Sequence, residues 1–219
     1  MYKYQLINGH YVVEIDNKKY VLDTGSKDSF WMKTRRDTIL IDGVSYPLAS
    51  NKLSPVQEME TMRFVGCDLD GFIGLDIIEK TSLTIYKDGN IAFKSTDIDS
   101  KKTKFIDNND EYLIVESNQG RFLIDTGAKY GYCVKSILSC EIPLSRVHDY
   151  NPILGHLYSD LYLKRISIAD VGNDMYVCNN ADVQRYYLPA VNCKAIGNIT
   201  GFFKEVCVFD LSKGELILK

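Results

Sequence analysis

Short runs of apolar residues separated by polar turns recur along the chain and predict a mostly-β fold. Residues 11–15 and 19–22 are rich in β-branched and aromatic side chains, and the Asp-Asn-Lys between them is a hairpin signal. Residues 112–115 and 121–124 repeat this pattern around a Ser-Asn-Gln-Gly turn in the second half of the chain. Each half is therefore expected to contain the same hairpin.

The second strand of each predicted hairpin runs directly into the tripeptide Asp-Thr-Gly, at residues 23–25 and again at 125–127. An apolar strand ending in a carboxylate, a hydroxyl and a glycine can present the acid at a seam of the fold, because the glycine permits a turn that a side chain would obstruct. One copy would be weak evidence. Two copies, about 100 residues apart, are much harder to ascribe to chance.

Later elements also occur twice. Phe-Ile-Gly at 72–74 and Ala-Ile-Gly at 195–197 each precede an expected short helix and a closing hairpin. The second of these helices is expected at residues 198–204, whereas residues 51–62 could form either a loop or a short helix. The order of elements is therefore the same in both halves.

A polar stretch rich in Lys, Asp, Ser, Thr and Asn lies between the two copies. It predicts a connector at residues 95–110, which separates an N-terminal lobe at 1–94 from a C-terminal lobe at 111–219. A fold built from two such units has a pseudo-twofold axis, on which the paired Asp loops would meet.

The chain resembles the aspartic peptidases of the pepsin and retropepsin clan, whose motif is an apolar pair followed by Asp-Thr-Gly and then Ser, Thr or Ala. The resemblance covers nearly the whole chain, and its spacing is closer to a fused pair of retropepsin units than to a full-length pepsin. It implies a bilobal acid-protease fold with two β-barrel-like lobes and short helices. It also implies endopeptidase activity through a water activated by Asp23 and Asp125, with no covalent intermediate, cofactor or metal.

The resemblance gives supporting roles to the other motif residues, which are Thr24, Gly25, Ser26, Thr126, Gly127 and Ala128. The two threonine hydroxyls are expected to bond the backbone of the opposite loop. Ser26 could donate to the outer oxygen of Asp23, whereas Ala128 cannot do the same for Asp125. On this basis Asp23 would be the longer-lived carboxylate of the pair.

The second half carries an insertion at residues 140–160, roughly twenty residues long, that the first half lacks. A peptidase of this kind needs a mobile flap that covers the substrate and excludes water, and a loop with glycine and aromatic residues suits that role. The candidate flap residues are Tyr150, Leu154, Gly155 and Tyr158. The alternative is a surface loop with no catalytic role.

Composition and charge narrow the classes of partner and the cellular location that the sequence predicts. The formal net charge is −3 with both signs interspersed, so no basic stripe indicates nucleic acid, and no apolar run is long enough to indicate a membrane span. The polar N-terminus predicts no signal peptide and hence a cytoplasmic protein, or an exported one if a signal has been removed from the chain. The six cysteines lack a Cys-x-x-Cys pair, and free thiols are expected rather than a disulfide in the second half.

Two functions of different classes remain open at this level. The first is an endopeptidase that acts as a monomer on a peptide or protein substrate. The second is a non-catalytic peptide-binding or scaffold protein that retains the cleft. The intact Asp, Thr and Gly residues at both sites favour the enzyme, whereas the lack of an obvious flap favours the binder.

Overall fold

A computed structural model describes residues 1–33, 35–106, 112–138 and 141–219. Strands account for far more of these residues than helices do, so the mostly-β prediction is confirmed. Most strands are short and follow the apolar runs of the sequence.

The strands of the first half are β1 Tyr2–Ile7, β2 His10–Ile15, β3 Lys18–Leu22, β4 Phe30–Trp31, β5 Thr38–Ile41, β6 Val44–Pro47, β7 Gly71–Ile73, β8 Leu83–Tyr86 and β9 Asn90–Ala92. Those that follow are β10 Lys101–Lys104, β11 Ile114–Ser117, β12 Gly120–Ile124, β13 Gly131–Cys133, β14 Ser145–Asn151, β15 Gly155–Ile168, β16 Val171–Asn179, β17 Ala195–Gly197, β18 Val206–Asp210 and β19 Glu215–Leu218.

Two large sheets and one small hairpin contain these strands. The first sheet has the order β10-β19-β18-β8-β9-β1-β2-β3-β7-β4, and the second has the order β11-β12-β17-β13-β16-β15-β14. The hairpin of β5 and β6 forms a separate two-stranded sheet. Strand β18 pairs with β8, so the closing hairpins of the two halves are joined in one sheet. The predicted lobes therefore share backbone hydrogen bonds as well as a connector.

The same local topology occurs once in each half and positions the Asp-Thr-Gly loops. In the first half β3 runs parallel to β7, which also pairs antiparallel with β4. In the second half β12 runs parallel to β17, which pairs antiparallel with β13. Each copy of the sequence repeat therefore forms the same set of strand pairs.

The predicted connector contains regular structure. Its residues Lys101–Lys104 form β10, which pairs antiparallel with β19 at the edge of the first sheet, while residues 107–110 lie outside the described part of the chain. An edge strand has one side open to solvent, and lysines there discourage pairing with other chains. A strand at this position can therefore be highly polar.

Helices are few and short. Helix α1, Pro55–Val65, begins at Ser54, where a reciprocal capping box with Gln57 satisfies the first backbone donors. Gly66 ends it with φ of 89°, a conformation that glycine adopts without strain. The open choice at residues 51–62 is thus settled mainly as helix. Two further helices are α2 Leu75–Thr81 and α3 Leu188–Ala190, and a 3₁₀ turn covers Lys135–Leu138.

The helix expected at residues 198–204 is wrong, because this segment forms turns. The side chain of Asn198 accepts a hydrogen bond from the Thr200 backbone N–H at 3.0 Å, and such local bonds compete with helix formation. Gly201 also lies so close to Asn173 that a Cβ there would be 2.1 Å from its amide nitrogen.

The largest apolar core draws side chains from both halves, including Tyr11, Leu22, Phe122 and Phe209, each at most 1% exposed. Burial on this scale is what stabilises the chain against its conformational entropy. Among the described residues no helix combines the length and apolar character needed to cross a bilayer. The described cysteines are free thiols, and Cys140 lies outside the described residues.

Candidate active site

Asp23 and Asp125 lie directly after the buried strands β3 and β12, and equivalent bonds position them. The Asp23 backbone N–H donates to the Ile73 carbonyl at 2.9 Å, and that of Asp125 donates to the Gly197 carbonyl at 2.9 Å. Each aspartate is thus fastened to the apolar-pair-plus-glycine strand of its own half. The two loops have the same backbone geometry because the local topology is repeated.

The two carboxyl groups face each other across a seam in which only glycine fits. A Cβ on Gly25 would lie 2.6 Å from Asp125 Cγ, and a Cβ on Gly127 would lie 2.5 Å from Asp23 Cγ. Real Cβ contacts are never so short, so each loop needs glycine to let the opposite carboxyl approach. Each carboxyl also accepts the N–H of the glycine in its own loop at 2.9 Å.

Thr24 and Thr126 fasten the two loops together. The Thr24 hydroxyl donates to the Ile124 carbonyl at 2.8 Å and accepts from the Thr126 N–H at 3.0 Å. The Thr126 hydroxyl makes the mirror-image pair of bonds, to the Leu22 carbonyl at 2.8 Å and from the Thr24 N–H at 3.0 Å. Both side chains are 0% exposed. The cross-bonding implied by the resemblance is therefore present.

Electrostatics make the pair of carboxyls unequal. Burial raises the pKa of Asp23 above its ordinary value, while bonds from its loop backbone oppose the shift. Burial also raises the pKa of Asp125, and the adjacent charge of Asp23 raises it further, to well above its ordinary value. Because two adjacent charges are unfavourable, the pair favours the state that carries one shared proton.

The role expected of the Ser26 hydroxyl is wrong. It donates to the Asp28 carbonyl at 2.9 Å and not to Asp23. The backbone N–H of Ser26 lowers the pKa of Asp23, and that of Ala128 does the same for Asp125. The difference between serine and alanine therefore does not create the asymmetry.

The raised pKa values predict an effect on stability. Between pH 3.8 and these raised values the folded protein binds more protons than the unfolded chain, so its stability falls as pH rises. Asp125→Asn removes one titrating group. Its Tm should exceed that of the parent by a few degrees at pH 7, because each tenfold difference between the folded and unfolded acid dissociation constants costs about 1.4 kcal/mol. Thermal scans at pH 7 and pH 4 test this.

That stability gain should shrink near pH 4, where the carboxyl is protonated in the folded protein and about half protonated in the unfolded chain. Asp68→Asn is the matched control, since Asp68 is exposed on the surface and paired with Lys33. An Asp125→Asn variant no more stable than the control at pH 7 would contradict the raised pKa.

Residues outside the motifs support the loops, and sequence reasoning missed them. The Asn198 amide donates to the carbonyls of Thr126 at 3.1 Å, Ala128 at 3.3 Å and Gly9 at 3.0 Å. Asn198 directly follows the Ala-Ile-Gly strand, which was the available signal.

The first half uses different residues for the same purpose. Ser29 donates to the Asp76 carboxylate through its N–H at 2.9 Å and its hydroxyl at 2.5 Å. The same hydroxyl accepts from the Gly74 N–H at 2.8 Å. This network holds the stretch after the first motif against the Phe-Ile-Gly strand.

The insertion in the second half forms the hairpin β14–β15, whose turn covers the two carboxyls. Tyr150 and Leu154 line the cleft together with both aspartates. The turn contacts the first half, because Gln57 Nε2 donates to the Pro152 carbonyl at 2.8 Å and Phe64 stacks on Tyr150 with ring centroids 5.5 Å apart.

Two of the candidate flap residues do not line this cleft. Tyr158 is 60% exposed and stacks on His148, because side chains alternate along a strand and its neighbour Leu157 takes the buried side. Gly155 has φ of 78° and is the first residue of β15, directly after the turn, where a Cβ would meet open space. Its role is to let the hairpin reverse direction.

The cleft divides into two pockets that share the aspartates. One extends toward the second loop, between α1, the β14–β15 hairpin and the start of β2. The other extends toward the first loop, with apolar walls from Phe30, Leu53 and Ile153. The Asp pair therefore lies at the middle of a continuous groove.

No family model matches this sequence, and no curated protein matches it either.

Tyr187 is a further cleft residue that the sequence did not reveal. It ends a π-helical turn, Val183–Tyr187, and lines both pockets with Asp23 and Asp125. Burial, reinforced by the charges of the two aspartates, raises the pKa of its hydroxyl far above the ordinary value. Tyr187 therefore remains a hydrogen-bond donor at any pH at which the aspartates could act.

Proposed function

We propose that the chain is an aspartic endopeptidase in which Asp23 and Asp125 activate a water molecule. The observation that carries the proposal is the packing of each carboxyl against the glycine of the opposite loop, inside a single cleft. Two buried carboxyls this close share one proton, which makes one of them a base and the other an acid.

The reaction follows from that division of roles. Asp23 takes a proton from the water as the water oxygen attacks the peptide carbonyl carbon, and Asp125 protonates the carbonyl oxygen. In the tetrahedral intermediate the C–N bond then breaks as the proton on Asp23 passes to the leaving nitrogen, and Asp125 recovers its proton from a hydroxyl. The products are a carboxylic acid and an amine, and no bond to the protein forms.

The repeated topology supports a matching proposal for the fold. The bilobal acid-protease fold of pepsin and retropepsin relatives requires two copies of a strand that runs into an Asp-Thr-Gly loop and pairs with a parallel strand, and it requires threonine bonds between the two loops. Under this proposal the protein is a monomer that contains its own pseudo-dimer.

A peptide substrate would lie extended in the groove, between the aspartates and the flap hairpin. The flap comes from the second half, whereas in pepsin relatives it comes from the first. Its turn lies over the aspartates and contacts α1, which supports a role as the lid that excludes water.

The flap assignment predicts a contrast between two side chains of the same hairpin. Leu154→Ala removes a cleft contact and should raise KM several-fold, about 3- to 10-fold, with a smaller change in kcat. Tyr158→Ala truncates an outward side chain and should leave KM within about twofold. Steady-state kinetics on one peptide measures both. Equal effects of the two variants would refute the flap assignment.

The rival function is a non-catalytic peptide binder. Its main support at the sequence level was the lack of an obvious flap, and the hairpin over the cleft weakens that support. The two functions differ in whether bonds are broken, so a cleavage experiment separates them.

The test is digestion of proteome-derived peptides by the purified protein between pH 4 and pH 7, with new termini mapped by mass spectrometry. The proposal expects new termini with the parent protein, inhibition by pepstatin, and no new termini with Asp23→Asn. Peptide binding without cleavage by the parent would overturn the enzyme and support the binder.

A further inference from the structure

The pocket on the side of the second loop contains a buried histidine with an unused ring nitrogen. His10 is 8% exposed and hydrogen-bonds through its ring to the backbone of Gly127, within the second catalytic loop. Its Nδ1 is buried and has no partner. Because the other nitrogen donates to the Gly127 carbonyl, Nδ1 of the neutral ring is an acceptor. A buried acceptor without a donor is costly, so this pocket lacks a donor that a ligand could supply.

A buried carboxylate lines the same pocket. Asp149, on β14, is 9% exposed, and its oxygens accept from the Tyr132 hydroxyl at 2.7 Å and the Tyr150 N–H at 2.9 Å. A carboxylate has about four acceptor sites, so these two bonds leave capacity. Within the described ranges no Lys or Arg forms an ion pair with Asp149. A buried carboxylate held only by neutral donors favours an incoming cation.

The remaining walls would suit a long side chain. Phe64, Val65 and Leu157 supply apolar surface in the same pocket as His10 and Asp149. Lys129 also lines the pocket, but its ammonium lies 5.0 Å above the Tyr130 ring. The pocket therefore combines an apolar passage with two acceptors at its polar end.

We propose that this pocket, which we call the His10 pocket, is a subsite that binds a lysine or arginine side chain of the substrate next to the scissile bond. The proposal rests on the proposed function and names its substrate class. The aliphatic stem contacts the apolar walls, while the cationic end donates to Asp149 and to His10 Nδ1. Burial lowers the pKa of His10, so the ring stays neutral and available as an acceptor.

The first test compares peptides that differ only in charge. Arginine and citrulline have nearly the same shape, but only arginine is charged, so the pair requires no change in the protein. Non-cleavable fluorescent hexapeptides with a reduced central amide carry arginine, citrulline or methionine on one side of that bond and leucine on the other, in both orders. We expect arginine to bind at least about tenfold more tightly than citrulline in one order.

Binding of the reduced-amide peptides reports on the subsite whether or not the protein cleaves anything. Arginine and citrulline peptides that bind within twofold of each other in both orders would overturn the His10 pocket proposal, even if Asp23-dependent hydrolysis is observed. An arginine preference in a protein that cleaves no peptide would instead overturn the proposed function and leave the subsite standing.

Substitutions in the His10 pocket test whether its residues produce the arginine preference. Asp149→Asn should bring the arginine-to-citrulline affinity ratio close to one, because it removes the charge while keeping the side-chain size. Asp160→Asn is the matched control, since Asp160 is exposed on the neighbouring strand. If Asp149→Asn does not fold, His10→Gln tests the same pocket, and an unchanged ratio in either folded variant would place the preference elsewhere and overturn the assignment.

Discussion

Replacing Asp23 by asparagine is expected to lower kcat/KM for peptide hydrolysis by about 10²- to 10⁴-fold. Asparagine keeps the size of the side chain and can still accept the Gly25 N–H, but it cannot take a proton from water. The loop itself is held by backbone bonds to Ile73 and by the threonine pair, so the fold should persist. The loss should therefore appear in the rate and not in the circular dichroism spectrum.

The control for this substitution is Asp68→Asn, which changes an exposed aspartate that the cleft does not contain. It should hydrolyse the same peptide within about twofold of the parent rate. A folded Asp23→Asn protein with the parent rate would remove Asp23 from the reaction and with it the proposed mechanism.

Thr126→Val should produce the second large effect, on stability. Valine has the shape of threonine but lacks the hydroxyl, so the Leu22 carbonyl and the Thr24 N–H both lose their buried partner. Each unsatisfied buried group costs about 1–3 kcal/mol, which gives a loss of about 2–6 kcal/mol. For a chain of this length that corresponds to a Tm lower by roughly 5–20 °C, measurable by thermal scanning.

Thr126→Ser is the matched control because it keeps both hydrogen bonds and loses only a methyl group. It should be about 1 kcal/mol less stable than the parent. If the valine and serine variants unfolded at the same temperature, the hydroxyl bonds across the seam would contribute nothing, and the threonines would be ordinary core residues.

The sequence predicted those features of the site that depend on local pattern. An apolar strand followed by Asp-Thr-Gly specifies a strand, an acid at its end and a turn within a few residues, and its repetition specifies the second copy. The location of the β14–β15 hairpin was also predictable, because an insertion present in only one half of a repeat lies outside the structure that the two halves share. Its contact with Phe64 was not, since that contact joins distant parts of the chain.

The errors concern residues whose partners lie far away in sequence. The carbonyls of Gly9 and Thr126 that the Asn198 amide bonds are far from it in sequence, and Asn198 begins the segment expected to be a helix. The Ser26 hydroxyl had two acceptors within reach, and only the geometry of the turn selects Asp28. The pairing of β18 with β8, which joins the halves, likewise has no local signal.

The pH dependence of kcat/KM for one cleavable peptide tests the central claim most directly, because it reports the acid and the base of the free enzyme. The account predicts a bell-shaped profile with both limbs above pH 3.8, since the pKa values of Asp23 and Asp125 are both raised. A rate that stays constant from pH 4 to pH 8, or that changes through a single ionisation, would contradict a pair of carboxyls working with one proton.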